Sequence, residues 1–486
     1  MSVVIVSNRV ARVRPGEPIS GGLAAALLPA VKSAGAIWVG SSGRLGDDTR
    51  DGIIEMEALG SGALGTLDFP AAHYRGFYEG FANSVLWPAL HSRPDLIRAT
   101  ASDYTAYREI NAFLARSLKR AFRAETTYWI HDYHYLPLAL ELRRLGVKTP
   151  IGFFLHTPMP ARNVICSIPH HRDLFRAMLA YDLIGFQTQQ DLDNFASYVS
   201  EDLGLSVVGD VVASARRVTR LRTFPIGIDV PAFASRATKA VASPEVMRLR
   251  QSLHGGKLVI GVDRVDYSKG LANRFRAVDS LLTAEPALKR QMTMLQIGVP
   301  SREGIDAYCQ LQKELAALVG EINGRHGEVD WTPIRYLTKG YSQTTLAGFY
   351  RTAAVAMVTP LYDGMNLVAK EYVAAQNPFD PGVLVLSEFA GAAQQLDAAL
   401  IVNPHDVDGM SQALATALAM PLDERRERWD AMMAVLRQSP VQSWFTDFVD
   451  ALADSEASIG SHDEAIMQTP VPLIETRDIR LNAKIH

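Results

Sequence analysis

Short apolar runs closed by polar residues recur along this chain. Val3-Val4-Ile5-Val6 ends in Ser7-Asn8-Arg9, and "AIWVGSSG", "TTYWIHDYHYLP", "PIGFFLHTPMP" and "YDLIGFQT" repeat the pattern. Stretches with helical spacing lie between them: "GGLAAALLPAV", "YTAYREINAFLARSLKRAF" and "LPLALELRRLG". Strands and helices alternate, and the strands are apolar on both faces. That predicts a parallel sheet covered by helices. The pattern restarts at "KLVIGVDR" and continues through "MTMLQIGVP", "YCQLQKELAALVGEING", "VAMVTP", "LVAKEYVAAQ" and "GVLVLSEFAG". The more polar "VPAFASRATKAVASPEVMRLRQSLHGG" between the two series has no strand-like run. The expectation is an α/β chain of two doubly wound domains, 1–240 and 241–455, with the last helix free to pack back on the first domain. A polar tail is expected over 456–486, where apolar periodicity is lost.

A length of 486 residues agrees with more than one core. A net charge of −3 gives no general attraction to nucleic acid or to a membrane surface, so any cationic site must be local. Two cysteines, Cys166 and Cys309, form no CxxC pair. They support neither a thiol zinc site nor a disulfide framework, and they fit a cytoplasmic protein. No apolar stretch approaches the roughly 18 residues of a membrane span.

In doubly wound sheets ligands bind outside the carboxyl ends of the strands. Arg9, Asp132, His156, Arg264, Arg302 and Asp363 each follow an expected strand. In "GVDRVDYSKGL", Arg264 and Lys269 suit a diphosphate leaving group, a planar fork beside a compact charge. The bland alternative pairs them with Asp263 and Asp266. In "TPLYDGMNLVAKEYVAAQ", Asp363-Gly364 is turn chemistry before a helix whose free N–H groups suit phosphate oxygens. Glu371 suits sugar hydroxyls, because a carboxylate only accepts; Asp363 as a plain cap and Glu371 as a solvated partner of Lys370 are the alternatives. Asp132 and His156 follow adjacent strands and suit sugar hydroxyls. The His131-x-x-His134 spacing lacks the helix that would align two metal ligands. Gly21-Gly22 permits close backbone approach, without the GxGxxG of a dinucleotide site. Arg9 and Arg302 suit a second phosphate, and Tyr78 and Trp87 the walls of a sugar pocket.

These residues carry a resemblance. "SVLWP", "WIHDYH", "GFFLH", "YDLIGFQT", "DYSKGL", "DGMNLVAKEYVAAQ" and "LVLSEFAGAA", in this order, are similar to the retaining trehalose-6-phosphate synthase family. The resemblance runs from "VVIVSNR" to about Pro404. It implies a GT-B architecture, two Rossmann-like domains facing across a cleft. It implies a retaining hexosyltransferase that moves glucose from UDP-glucose to glucose 6-phosphate, giving trehalose 6-phosphate and UDP. Carried over by motif, Arg264 and Lys269 hold the donor diphosphate. Asp363 and the backbone of Asn366, Leu367 and Val368 contact donor sugar and diphosphate. Glu371 holds the ribose, His156 contacts the donor glucose, and Gly22 lies on the loop near the donor. Arg9, Tyr78, Trp87 and Arg302 form the acceptor-phosphate site, and Asp132 meets an acceptor hydroxyl. No obligatory cofactor and no metal are implied, and a homo-oligomer is expected.

One departure stands out. The family commonly reads WxGWSG beside the acceptor pocket, and this chain reads Trp38-Val39-Gly40-Ser41-Ser42-Gly43. The lost ring keeps a second phosphorylated acceptor, such as glycerol 3-phosphate, open. A regulatory homologue without activity, a glycoside hydrolase built on Asp132 and Asp363, and a nicotinamide oxidoreductase are the competing classes. The hydrolase leaves the cation pair unexplained, and the oxidoreductase lacks its fingerprint.

Overall fold

The computed structural model describes residues 3–10, 22–46, 52–214, 217–302 and 304–466. Its first sheet is made of β1 (Val3–Arg9), β2 (Ile37–Gly46), β3 (Glu55–Leu59), β4 (Gly62–Pro70), β5 (Thr127–His131), β6 (Ile151–Phe154), β7 (Leu183–Phe186), β8 (Val207–Val208), β9 (Val211–Ser214) and β10 (Arg217–Thr223). The spatial order is β3-β4-β2-β1-β5-β6-β7-β10-β9-β8. Pairing is parallel from β4 to β10, with β3 and the β8–β9 hairpin added antiparallel at the two edges. The apolar runs form the inner strands because both faces are covered: β5, β6 and β7 are buried at every residue.

The second sheet is made of β11 (Lys257–Arg264), β12 (Met292–Val299), β13 (Ile334–Leu337), β14 (Val355–Val358), β15 (Val383–Ser387) and β16 (Leu400–Val402). Its order is β13-β12-β11-β14-β15-β16, parallel throughout. Each sheet has one point where its winding reverses, between β1 and β5 in the first and between β11 and β14 in the second. Crevices open there at the carboxyl ends. Arg9 and Asp132 stand at the first, and Arg264 and Asp363 at the second.

The chain leaves the first sheet through Phe224–Asp229 and returns near Ser439. Gly227 has no room for a Cβ against the Ser439 carbonyl, so the two crossovers pack backbone to backbone. Helix Val441–Ile466 then lies on the first sheet. Its Phe448 ring stacks on Trp129 at 4.4 Å and fills the space that a Cβ on Gly152 or Gly185 would take. Residues 456–466, expected as polar tail, continue this helix. Ala, Ser and Glu are tolerable helix residues, and propagation from a packed first half costs little once the helix has started. Residues 467–486 lie outside the described residues.

Phe448→Ala is expected to cost about 3–5 kcal/mol, because the ring is fully buried against glycines that cannot refill the space. Urea unfolding followed by tryptophan fluorescence checks it, and an unchanged midpoint refutes this anchoring.

Candidate active site

Arg264 is the last residue of β11, and its side chain is exposed. Its guanidinium carbon lies 5.7 Å from the Trp87 ring centroid. Among the described residues no carboxylate forms an ion pair with it. The bland pairing with Asp263 does not occur, because Asp263 is bonded to the buried Arg274 at 2.5 Å. Lys269 ends a short 3-10 turn, and its Nζ lies 2.6 Å from Asp363 Oδ2. Gly270, at φ 67°, packs against the Thr359 carbonyl with no room for a Cβ, which seats the turn on the end of β14.

Asp363 Oδ2 also accepts from Asn366 Nδ2 at 3.0 Å, so Asp363 binds side chains and is not a helix cap. Asn366, at φ 75°, precedes helix Leu367–Ala375, and no side chain caps that helix start. Its first N–H groups are therefore left for a ligand or water. Glu371 is half-buried, and burial pushes its carboxyl up to about 7 against the pull of Arg236. It is not paired with Lys370, whose ammonium is turned into the protein.

Across the cleft, Arg9 ends β1 and lies 5.8 Å over the Tyr78 ring. Tyr78 belongs to the π-helical segment Gly76–Leu86 and stacks on Tyr74 at 5.6 Å and His134 at 5.9 Å. His134 is buried and neutral. Burial, with Arg302 and Arg9 nearby, pushes it down to about 3, so both cations converge on this ring. Asp132 follows β5 at φ 75°, with its carboxylate accepting from the N–H groups of Tyr133, His156 and Thr157. Burial still raises it to about 6.

His156 follows β6, beside Asp132. Its Nε2 lies 3.0 Å from His131 Nδ1 and its Nδ1 3.5 Å from Gln187 Nε2. Burial keeps this ring neutral, at about 3. His131 is thus used by His156 and His134 by its aromatic stack. Among the described residues no cluster of three metal-ligating side chains occurs. Gly22 begins helix Gly22–Ala34, while Gly21 and the loop before it lie outside the described residues. Ser41 is in register with Arg9 on the neighbouring strand. It is 4% exposed, and its Oγ accepts from the Gly43 N–H at 3.1 Å. Its hydroxyl therefore serves the local backbone.

Arg302 is the side chain whose surroundings the sequence least suggests. Its Nη1 lies 2.7 Å from Asp266 Oδ2 and 2.9 Å from the Tyr308 hydroxyl. Nε donates to Asn83 Oδ1 at 2.8 Å, Nη2 to the Tyr133 hydroxyl at 3.3 Å, and the guanidinium stacks on Trp87 at 3.8 Å. Asn83, Tyr133 and Trp87 belong to the first half. Asp266 is buried, and it also accepts from the Trp87 indole at 3.4 Å. Burial alone would raise its pKa, but Arg302, His91, Arg264 and Lys269 overcome this and hold it at about 2. Asp266, Asn83 and Tyr308 were not singled out as site residues. Asn83 lies between Tyr78 and Trp87, and Asp266 within "DYSKGL", which is the signal that marks them.

The cleft thus opposes a cation pair and an uncapped helix start to a second cation set, a buried carboxylate and aromatic walls. The sequence model of glycosyltransferase family 20 matches residues 10–454. The chain belongs to this family. It is 42% identical over 461 residues to the trehalose-6-phosphate synthase of Sinorhizobium fredii, covering 94% of this chain and 99% of that one. A structure of the UDP-forming alpha,alpha-trehalose-phosphate synthase of Burkholderia xenovorans, in complex with glucose-6-phosphate, superposes with a TM-score of 0.89 at 44% identity. It covers 93% of this chain and 100% of that one. The E. coli enzyme bound with UDP-2-fluoro glucose gives 0.87 at 38% identity, covering 93% and 99%. The family 20 chain is therefore a glycosyltransferase with the expected GT-B fold. Among its described residues no helix is long and apolar enough to cross a membrane.

Asp266→Asn is expected to cost about 3–5 kcal/mol at neutral pH, because Arg302 then lies buried without its counter-charge. The folded pKa of about 2 lies below the ordinary 3.8, so the wild-type advantage is present above pH 4 and is lost as pH falls toward 2. Urea unfolding of both proteins across that range reads it, and parallel curves refute it.

Proposed function

We infer that this family 20 chain transfers glucose from UDP-glucose to glucose 6-phosphate with retention, releasing UDP and trehalose 6-phosphate. The observation that carries this is the meeting of two reversal points: Arg264, Lys269 and the start of helix Leu367–Ala375 face Arg9, Asp132 and Trp87. Relatives with glucose-6-phosphate and with UDP-2-fluoro glucose support the two substrates.

In this reading the diphosphate lies on Arg264, Lys269 and the N–H groups of Leu367 and Val368. Asp363 and Asn366 meet the donor sugar, and Glu371 accepts from the ribose hydroxyls. Gly22 and His156 complete the donor side. Arg9, Tyr78 and Trp87 hold the acceptor phosphate and ring, with Arg302, whose fork is already taken by Asp266, Asn83 and Tyr133, adding its charge from behind, and Asp132 accepts from an acceptor hydroxyl. The acceptor oxygen bonds to the glucose C1 on the face from which the phosphate oxygen departs. The C1–O bond to UDP breaks, and its electron pair stays on the phosphate. The proton of the acceptor hydroxyl passes to that same phosphate oxygen. The protein's part is electrostatic: fixed cations and helix N–H groups meet the growing negative charge without reorganising. Closure of the two halves excludes water and suppresses donor hydrolysis. No metal or other cofactor is required, because the cations take that charge. We place the protein in the cytoplasm, as a homo-oligomer.

Incubation with UDP-glucose and glucose 6-phosphate, with UDP release and product configuration followed, tests the reading; glycerol 3-phosphate is the competing acceptor. Arg264→Ala is expected to lower kcat about 10²–10³-fold with the acceptor KM nearly unchanged. UDP release independent of any acceptor, or full turnover in that variant, overturns the assignment. A second expectation concerns pH. Glu371 titrates at about 7, and only its carboxylate is a pure acceptor. At saturating acceptor, kcat/KM for UDP-glucose should fall as pH drops through 7, and Glu371→Gln should lack that limb.

A further inference from the structure

Ile226 lies where the chain leaves the first sheet, between β10 and helix Val230–Ala240. Side chains from both halves hold its backbone. Gln187, directly after β7 and 3% exposed, accepts the Ile226 N–H on Oε1 at 3.0 Å. Lys370, fully buried on helix Leu367–Ala375, donates from Nζ to the Ile226 carbonyl at 2.6 Å. The same ammonium donates to Gln395 Oε1 at 2.6 Å. Among the described residues no carboxylate pairs with it, and burial brings it down to about 7. A buried cation held by neutral acceptors alone is costly, and an apolar side chain of similar length would avoid that cost.

Both ends of this arrangement reach the cleft. With Oε1 taken by Ile226, the Gln187 amide nitrogen is the group that faces His156 Nδ1, at 3.5 Å. On the other side, Lys370 is one turn from the start of the donor helix and precedes Glu371. The returning chain closes on the same place, with the Val441 N–H donating to the Ile228 carbonyl at 3.4 Å.

We propose that Gln187 and Lys370 are positioning residues, which clamp the Ile226 backbone from opposite halves and so fix how His156 and the donor helix face each other. The proposal rests on the transferase reading, with the nucleotide sugar at that helix, and assigns neither residue a substrate contact. Each bond links a different half to one short hinge segment. Loss of either frees the donor site's geometry while leaving Arg9, Tyr78 and Trp87 on their own sheet.

The full-length chain carries the test. Lys370→Met and Gln187→Leu each remove donated or accepted bonds at Ile226. Both are expected to raise KM for UDP-glucose, and Kd for UDP alone by calorimetry, about tenfold, with KM for glucose 6-phosphate within about twofold. Since both act on one segment, the double variant should be weaker by less than the product of the single effects. Wild-type UDP affinity in both single variants, equal rises in both KM values, or multiplicative effects would overturn the clamp. If a single variant melts below the assay temperature, the other still decides, since each removes a bond at Ile226 and wild-type UDP affinity in it refutes the role given to that segment. A wild-type chain without acceptor-dependent UDP release breaks the transferase reading instead, and UDP calorimetry still tests the clamp.

Discussion

A single buried carboxylate ties the two halves at their working ends. Asp266 takes the Trp87 indole from one half and Arg302 with the Tyr308 hydroxyl from the other. Removing such a charge from water is expensive, and the cost is recovered only where good geometry and opposite charges surround it. Here the cations outweigh burial, and the carboxyl stays ionised well below its ordinary range. The consequence is positional. Trp87 lies near both Arg302, at 3.8 Å, and Arg264, at 5.7 Å, so one aromatic ring of the first half meets two cations of the second.

Each reversal point also carries a strained residue. Asp132 and Asn366, neither of them glycine, both sit at φ 75°. Each such residue costs on the order of 1–3 kcal/mol and persists only where its surroundings hold it. Asp132 is held by three backbone N–H groups on its own carboxylate, and Asn366 by its bond to Asp363. Between them the backbones touch: Gly364 has no room for a Cβ against the His156 carbonyl, nor Gly391 against Gly364. Contact through backbone fixes the donor loop more tightly than side chains with free rotamers would.

The inner strands were legible because a parallel strand buried on both faces is an uninterrupted apolar run. The edges were not. β10 reads "RVTRLRT", where three half-buried arginines break the apolar run, and β3 is almost wholly exposed. The strand-end rule found Arg9, Asp132, His156, Arg264 and Asp363, since winding alone brings carboxyl ends to one side. It gave no access to their partners. Arg302 bonds to Asn83 across 219 residues, and Arg264 leaves Asp263, its immediate neighbour, to Arg274. Adjacent residues in a strand point to opposite faces, so nearness in sequence misleads there. The helix over residues 456–466 was illegible for another reason: its sequence is polar, and it continues from a turn anchored by Phe448.

Arg264 and Lys269 are prepared differently, and the chemistry of each side chain explains how. Lys269 already holds Asp363 at 2.6 Å, whereas Arg264 forms no ion pair among the described residues. An ammonium has three donors in no fixed plane, so it keeps one bond while turning another toward a phosphoryl oxygen. A guanidinium recognises an anion with a rigid fork, and that fork must be unfilled when the ligand arrives. Arg264, exposed at the strand end, is therefore the cation whose fork is open to an anion. Lys269, held in place by Asp363, is the anchored charge. Interchanging the two residue types would leave the cleft with the same net charge, but with a filled fork and an unanchored point charge. Net charge alone is thus a poor measure of what this cleft can stabilise.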